Sequence, residues 1–416
     1  MAKRGLIVSY YFPPTGGGGV QRWLKFVKYL SSFGWDLTII ANDHHPPSPR
    51  DESLLKELSQ EVEIVRIQNR SANASLKNNL SFLYKSGYWQ RWLSAFFNIT
   101  DSRRSWNKQV MKVINEKLKN KIYDAIIISS PPYSLVLLAA ELTDKIDVPV
   151  YLDLRDPWTL NPYKIYPTFF HRRIDRKREI VAIRKIKNII SAYQAPLDDY
   201  SRCIEEFDKK RILVLANGYD EHDFEHLKRQ DPDHNEIFNI GFSGSVYSHL
   251  NTPDMVFRTI KNLNSEGYNI HFHHVGTSVY DLYKLAKKFK IESNIHLWGY
   301  KSHTECLEIL NRMDALCLIL DDRFKNAENT IGGKFYEYLR LQKPIFAIVP
   351  KDGEAAKMIR KTNSGLIVSG RDIKAMEQTL KKLIVAEHEF SWEHIDEYNR
   401  EKQAQILRNF LEFENE

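Results

Sequence analysis

Cysteine is scarce: Cys203, Cys306 and Cys317 are the only three in 416 residues. An odd number without metal spacing excludes a disulfide framework and a cysteine-ligated metal, and reads as reduced thiols in a cytoplasmic protein. Long apolar runs are missing; none reaches the ~18 residues needed to span a bilayer. No Asp-x-Asp stands in a metal-site context, and there is no solenoid-period repeat or low-complexity tract. The start, Met1-Ala-Lys-Arg-Gly-Leu-Ile-Val8, enters a strand directly, so no signal peptide is expected. What is present, 43% hydrophobic and 27% charged residues, is the composition of a soluble globular chain. Its length exceeds one ordinary core, and two domains are expected.

Negative charge is short in one half. Residues 1–195 hold 30 Lys+Arg against 17 Asp+Glu, while the rest hold 30 against 36. A basic half points to an anionic partner, such as a phospholipid surface or a lipid-linked phosphate, or is a solvated face. Nucleic acid lacks an accompanying fold signature and is not expected.

Gly5–Ser9 is an apolar run fit for a buried parallel strand. Tyr10-Tyr-Phe-Pro-Pro14 ends it, and four glycines follow at 16–19. Apolar residues at 20, 23, 24, 26, 27 and 30 then have helical spacing. Asp36–Ala41 is a second strand, completing a mononucleotide-fold beginning. The glycines do not match G-x-G-x-x-G; they mean that a ligand or another domain comes close to this backbone. Residues 80–106 carry Phe82, Tyr84, Tyr88, Trp89, Trp92, Phe96, Phe97 and Trp106 among Lys and Arg. They fit either packed helices or an interfacial patch. Tyr123–Ser130 and Val148–Leu154 are further strands. The latter delivers Asp153-Leu-Arg-Asp156 to a carboxyl end, where α/β sheets bind ligands; an ion pair closing a loop is the alternative. Residues 171–187 form a basic, helical ridge. A helix is expected over 193–211, and 220–236 reads as the inter-domain connection.

From Phe238 onward strands and helices alternate again, with small-residue turns at Ser243-Gly-Ser245 and Gly299-Tyr300. Thr330-Ile-Gly-Gly-Lys-Phe-Tyr-Glu-Tyr-Leu339 is a glycine turn opening a helix near Lys334. Free amides at a helix start suit a diphosphate, and Glu337, one turn in, suits a sugar diol. An ordinary crossover is the other reading. A terminal helix is expected over about 392–413.

Tyr11–Arg22, Asp153–Trp158, Asn217–Asp220, Gly241–Gly244 and Gly333–Leu339 with Lys343-Pro344 together resemble the nucleotide-sugar glycosyltransferases of the GT-B architecture. The likeness is to retaining family 4, in particular its bacterial members of surface-polysaccharide assembly, and it covers nearly the full length. It implies an α/β fold of two Rossmann-like, doubly wound parallel-sheet domains facing a central cleft. Residues 1–200 would bind the acceptor and 212–390 the nucleotide-sugar, with 391–416 crossing back to the first domain. It further implies a cytoplasmic hexosyltransferase, peripheral on the inner face of the plasma membrane, acting on a saccharide or polyprenyl-phosphate-linked acceptor.

By the same resemblance, Glu337 holds the ribose, and Ile331, Gly332 and Gly333 face the diphosphate and sugar. Gly18 and Gly19 approach from the other domain, Gly244 and Ser245 lie at the phosphates, and Gly299 and Tyr300 lie at the base. The family's first glutamate would fall at Asn329, with Glu328 one position off. The Arg and Lys common after the Gly244 turn are missing, which leaves Lys334 or Arg22 to supply charge. No catalytic His is evident; Asp156 would position or deprotonate the acceptor hydroxyl, with Arg155 orienting it. Charge dispersal by helix starts and Lys334 needs no metal or cofactor. A GT-B nucleotide-sugar epimerase and a non-catalytic nucleotide-sugar-binding module are the alternatives.

Overall fold

In the computed structural model the short β-branched runs become strands because both faces of each sheet are covered. Residues 2–43, 50–68, 87–228, 237–246 and 249–413 are described, with backbone only for 87–91 and 249. Phe82, Tyr84 and Lys85 therefore lie outside the description, as do the side chains of Tyr88, Trp89 and His249.

The first sheet contains β1 (Arg4–Ser9), β2 (Asp36–Asn42), β3 (Glu63–Ile67), β4 (Ala125–Ser130), β5 (Val150–Leu154), β6 (Asn188–Ser191) and β7 (Arg211–Val214). Their order is β3-β2-β1-β4-β5-β6-β7, all parallel. Successive side chains on a strand point to opposite faces. Leu6 and Val8 of β1 accordingly join Ile126 and Ile128 of β4 in one core. Ile7 enters the other, with Trp23, Phe26, Val27 and Leu30 of the helix Gly18–Ser32. All six positions that carry the helical spacing in that segment are buried.

The second sheet contains β8 (Phe238–Ser243), β9 (Ile270–Val275), β10 (Ile295–Gly299), β11 (Ala315–Ile319), β12 (Ile345–Ile348) and β13 (Gly365–Val368). Their order is β10-β9-β8-β11-β12-β13, again all parallel. In each sheet the chain runs outward from a central strand, then returns and builds the other way. The reversal lies between β1 and β4 in the first and between β8 and β11 in the second. At such a switch point the connections leave to opposite faces, and a crevice opens beyond the carboxyl ends. Pairing of β11 with β8 stops at Leu316↔Gly241, so Phe242 and Ser243 continue past the ladder.

Two compact units result: 1–216 with 403–416, and 217–402. β7 is the edge strand of the first sheet, so the division falls after Ala216 and not at residue 212. The helix expected over 193–211 is shorter, Ala195–Ser201, and Glu206 interrupts the segment in the left-handed region at φ 58°. The terminal helix is Arg400–Glu412; Trp392 and His394, also left-handed, hold off its start. Its Ala404, Leu407 and Leu411 pack in the core that contains Trp35 and Leu37. The aromatic stretch near residue 100 divides between its two readings. Trp106 is fully buried and donates to Ile67 O at 3.0 Å, whereas Phe96 and Phe97 are exposed.

Candidate functional site

In the second unit, the helix Lys334–Leu341 starts at the switch point, and two of its side chains reach the end of β8. Lys334 and Tyr338 are four residues apart and share a face. Lys334 Nζ donates to Ser243 O at 2.7 Å, and Ser243 N donates to Tyr338 Oη at 2.9 Å. The Lys334 ammonium also sits 3.6 Å from the centroid of the Phe242 ring. The turn that follows is Gly244-Ser245, both exposed.

Three strand ends are bound together here. Gly244 N donates to Val275 O and Gly276 N to Gly299 O, each at 2.8 Å. Gly276 has φ 148°, and a Cβ on it would stand 2.4 Å from Gly244 O. Only glycine allows that approach, which brings the β8, β9 and β10 turns edge to edge. Ile331 is buried, Gly332 half-buried and Gly333 exposed, and no side chain caps the helix start. Phe335 N and Tyr336 N donate to Gly332 O and Gly333 O at 3.0 and 3.3 Å, while the amides of Gly332, Gly333 and Lys334 have no side-chain acceptor among the described residues, and an anion fits those three.

Lys334 is held in an unusual state. Desolvation pushes its pKa down to about 7, against smaller opposing effects of Cys317, Glu337 and Cys306. Burial pushes both thiols up to about 12, so neither cysteine supplies a thiolate counter-charge. A cation facing a carbonyl and an aromatic ring lacks a strong counter-ion, and a diphosphate would supply one.

Glu337 lies on the next face of the helix. Its Oε1 is 3.0 Å from His303 Nε2, and His303 Nδ1 is 3.8 Å from Asp223 Oδ2. His303 opens the helix His303–Asn311, set in place by a capping box between Ser302 and Glu305. Gly299 and Tyr300, both exposed, lie just before it. Sequence reasoning missed His303 and Tyr338. The Ser302-x-x-Glu305 pattern marks the helix start, but nothing local says that the histidine meets Glu337. Of the two candidates for the family's first glutamate, Glu328 is exposed and Asn329 half-buried, in the turn Ala327–Asn329.

The first unit's switch point is built differently. Asp153 of β5 is 0% exposed and accepts from Arg22 Nη2 at 2.8 Å, Trp23 Nε1 at 2.7 Å and Ser129 Oγ at 2.9 Å. Arg22, 2% exposed, also donates to Leu215 O at 2.9 Å and Ala216 O at 3.1 Å. Arg22 is thus engaged inside the first unit, which corrects the expectation that it or Lys334 supplies charge to a diphosphate in favour of Lys334; Asp153 is the structural partner of Arg22. Arg155 donates to Gly19 O and, at 3.0 Å, to Pro131 O, which ties β5 to the glycine loop. Gly18 and Gly19 begin the helix with open space where a Cβ would be. Asp156 is half-buried and takes no hydrogen bond among the described residues. Burial raises its pKa, opposed by the positive charges of Arg155 and Arg22 and assisted by Asp153.

Residues 237–385 match the family model described as Glycosyl transferases group 1. No curated protein matches the chain. Among solved structures, Anabaena Alr3699/HepE in complex with UDP and glucose aligns with a TM-score of 0.60 at 14% identity, over 98% of this chain and 95% of that one. The lipopolysaccharide outer core galactosyltransferase WaaB, in its apo form, aligns with 0.61 at 11%, over 98% and 99%. A putative UDP-N-acetylglucosamine 2-epimerase from Listeria monocytogenes aligns with 0.59 at 11%, over 98% and 96%. At such identities the likeness establishes architecture and not chemistry. The chain has the GT-B fold, and its second unit carries the group 1 glycosyltransferase match.

Proposed function

We propose that the chain is a retaining, metal-independent glycosyltransferase. It would move a hexose from a nucleotide-sugar to a saccharide acceptor, carried on a lipid, in bacterial surface-polysaccharide assembly. The observation that carries this reading is Lys334 held at the β8 turn beside an uncapped helix start, with Glu337 one turn further on. The diphosphate lies against Gly244, Ser245 and the amides of Ile331 to Lys334. Glu337 accepts from the ribose hydroxyls, and Gly299 and Tyr300 border the base. The bond from the anomeric carbon to the diphosphate oxygen breaks, and its electron pair leaves with the nucleoside diphosphate. Lys334 and the helix start stabilise that charge as it develops. The acceptor hydroxyl bonds to the anomeric carbon on the face the diphosphate leaves. Asp156, whose burial makes it a better base than an ordinary aspartate, takes the hydroxyl proton. Arg155, fixed to Gly19 and Pro131, orients it, and the excess of positive charge over residues 1–195 favours an anionic lipid carrier.

Calorimetric titration with UDP, GDP and ADP tests the donor site. One of the three is expected to bind, and Glu337→Ala is expected to weaken it at least tenfold. Unchanged binding in that variant would remove the central assignment. Nucleotide release from the matching donor that requires an added saccharide supports transfer; release with an altered sugar and no acceptor would make the chain an epimerase.

A further inference from the structure

The helix Phe169–Lys185 holds seven cations and two acids. Both acids, Asp175 and Glu179, are buried and occupied. Asp175 accepts from Thr100 Oγ1 at 3.0 Å, Trp158 Nε1 at 2.9 Å and Tyr166 Oη at 2.7 Å, and pairs with Lys164. Glu179 accepts from Tyr200 Oη at 2.8 Å and Arg176 Nη1 at 2.9 Å. The outward face is left with no negative charge. Phe170, Arg173, Ile174, Lys177, Val181 and Arg184 are all exposed. At 3.6 residues per turn they fall within one arc of about 100°. Arg173, Lys177 and Arg184 have no carboxylate partner among the described residues.

Apolar side chains widen this face at the helix start. Phe169 and Phe170 are 70% and 71% exposed, and Phe97, at the end of the helix Gly87–Phe97, is 78% exposed. The two helix ends are joined: His171 Nε2 lies 3.1 Å from Phe96 O, and the His171 and Phe96 rings are 5.0 Å apart. Exposed phenylalanines are costly in water, and here they stand beside Arg173, Lys177 and Arg184 on a helix face with no acid of its own; the neighbouring Asp144 and Asp199 are taken by Lys185 and Arg176. A protein partner or a nucleic acid would satisfy the cations. Three phenylalanines projecting at helix ends gain most in the acyl region beneath anionic headgroups.

We propose that this face of the first unit docks on an anionic phospholipid surface, with Phe97, Phe169 and Phe170 inserted and Arg173, Lys177 and Arg184 at the headgroups. The proposal rests on this surface alone. It stands even if no sugar is transferred, and transfer to a soluble acceptor would survive its failure.

The test is co-sedimentation of the full chain, without nucleotide or sugar, with vesicles of phosphatidylglycerol and phosphatidylcholine in equal parts and of phosphatidylcholine alone. Binding is expected only to the mixed vesicles and is expected to weaken as salt rises. Phe169→Ser with Phe170→Ser should lower partitioning at least tenfold. Replacing Arg173, Lys177 and Arg184 by Ser should lower it roughly fivefold per cation. All five positions are exposed, so the melting temperature should stay at the wild-type value. Equal binding to both vesicle types overturns the proposal. So does wild-type vesicle binding by the double phenylalanine variant, or its loss to a duplex oligonucleotide competitor, which would make the ridge a polyanion site.

Discussion

The two switch points share one plan and differ in what their cations face. Each has a strand, a glycine turn and a helix, with a basic residue near the helix start: Arg22 in the first unit and Lys334 in the second. Arg22, buried, meets a carboxylate and two carbonyls, so its charge is neutralised within the fold. Lys334 meets one carbonyl and one aromatic face, and its charge is depressed rather than matched. A paired, buried cation holds backbone together; an incompletely matched one at an uncapped helix start is ready for an anion.

The strongest way to break this comparison is to remove a partner from the first pair. Asp153→Ala leaves Arg22 buried without its counter-ion and Trp23 Nε1 without an acceptor. A loss of about 3–5 kcal/mol in unfolding free energy is expected, read by denaturant titration. A change below ~1 kcal/mol would mean that the pair is not the staple described. Lys334→Met reverses the pattern. Removing a poorly matched cation should leave stability at or above the wild-type value, while nucleoside diphosphate affinity falls roughly 100-fold, the scale of a strong charge-assisted contact. Loss of stability with intact affinity would exchange the roles of the two sites.

How much of this was legible in the sequence follows from the range of each interaction. The strand ends, the glycine turns and the helix at Lys334–Leu341 depend on neighbouring residues, and they appear where periodicity and turn chemistry put them. β7 is only four residues long, and no local signal assigns so short a strand to one sheet or the other. Separating Arg22 from Lys334 required knowing that Asp153, 131 residues away, closes on the first, and that Ser243, 91 residues away, offers the second only a carbonyl. Both are tertiary facts. The ionisable group Asp153, Arg155 and Asp156 at the end of β5 was visible as a candidate, yet its division into a structural Asp153 and an Asp156 with no hydrogen bond among the described residues depends on tertiary contacts.

A pH series sharpens the comparison further. The unfolded chain keeps the Lys334 amine protonated to about 10.5, whereas the folded chain releases that proton at about 7. The unfolded state therefore binds more protons across that window, and Lys334 contributes a stability that rises with pH through it. Lys334→Met should lack this slope, as the difference between the two proteins' denaturation profiles at pH 7 and 9. A bound diphosphate acts oppositely. By favouring the ammonium it makes binding take up a proton, so affinity should fall up to about tenfold per pH unit above 7. Calorimetry in two buffers of different ionisation enthalpy measures that uptake; none would mean that Lys334 does not meet the phosphates.

The smallest effect expected concerns His303. It holds Glu337 at 3.0 Å, so it is a positioning residue for the carboxylate assigned to the ribose. Removing it leaves the helix and the Lys334 contact intact, because Tyr338 and Lys334 grip Ser243 independently. His303→Ala should weaken nucleoside diphosphate binding about fivefold, the value of one ordinary hydrogen bond. It should also reduce the preference for the ribonucleotide over its 2′-deoxy analogue, which a merely structural change would not touch. His303→Gln, with an amide N–H near the same position, should restore part of that preference. If both variants bind more weakly yet discriminate the two nucleotides as the wild type does, Glu337 is not oriented by His303. The Glu337 carboxylate would then be placed by the helix Lys334–Leu341 alone, whereas the first site is held by the Arg22–Asp153 pair.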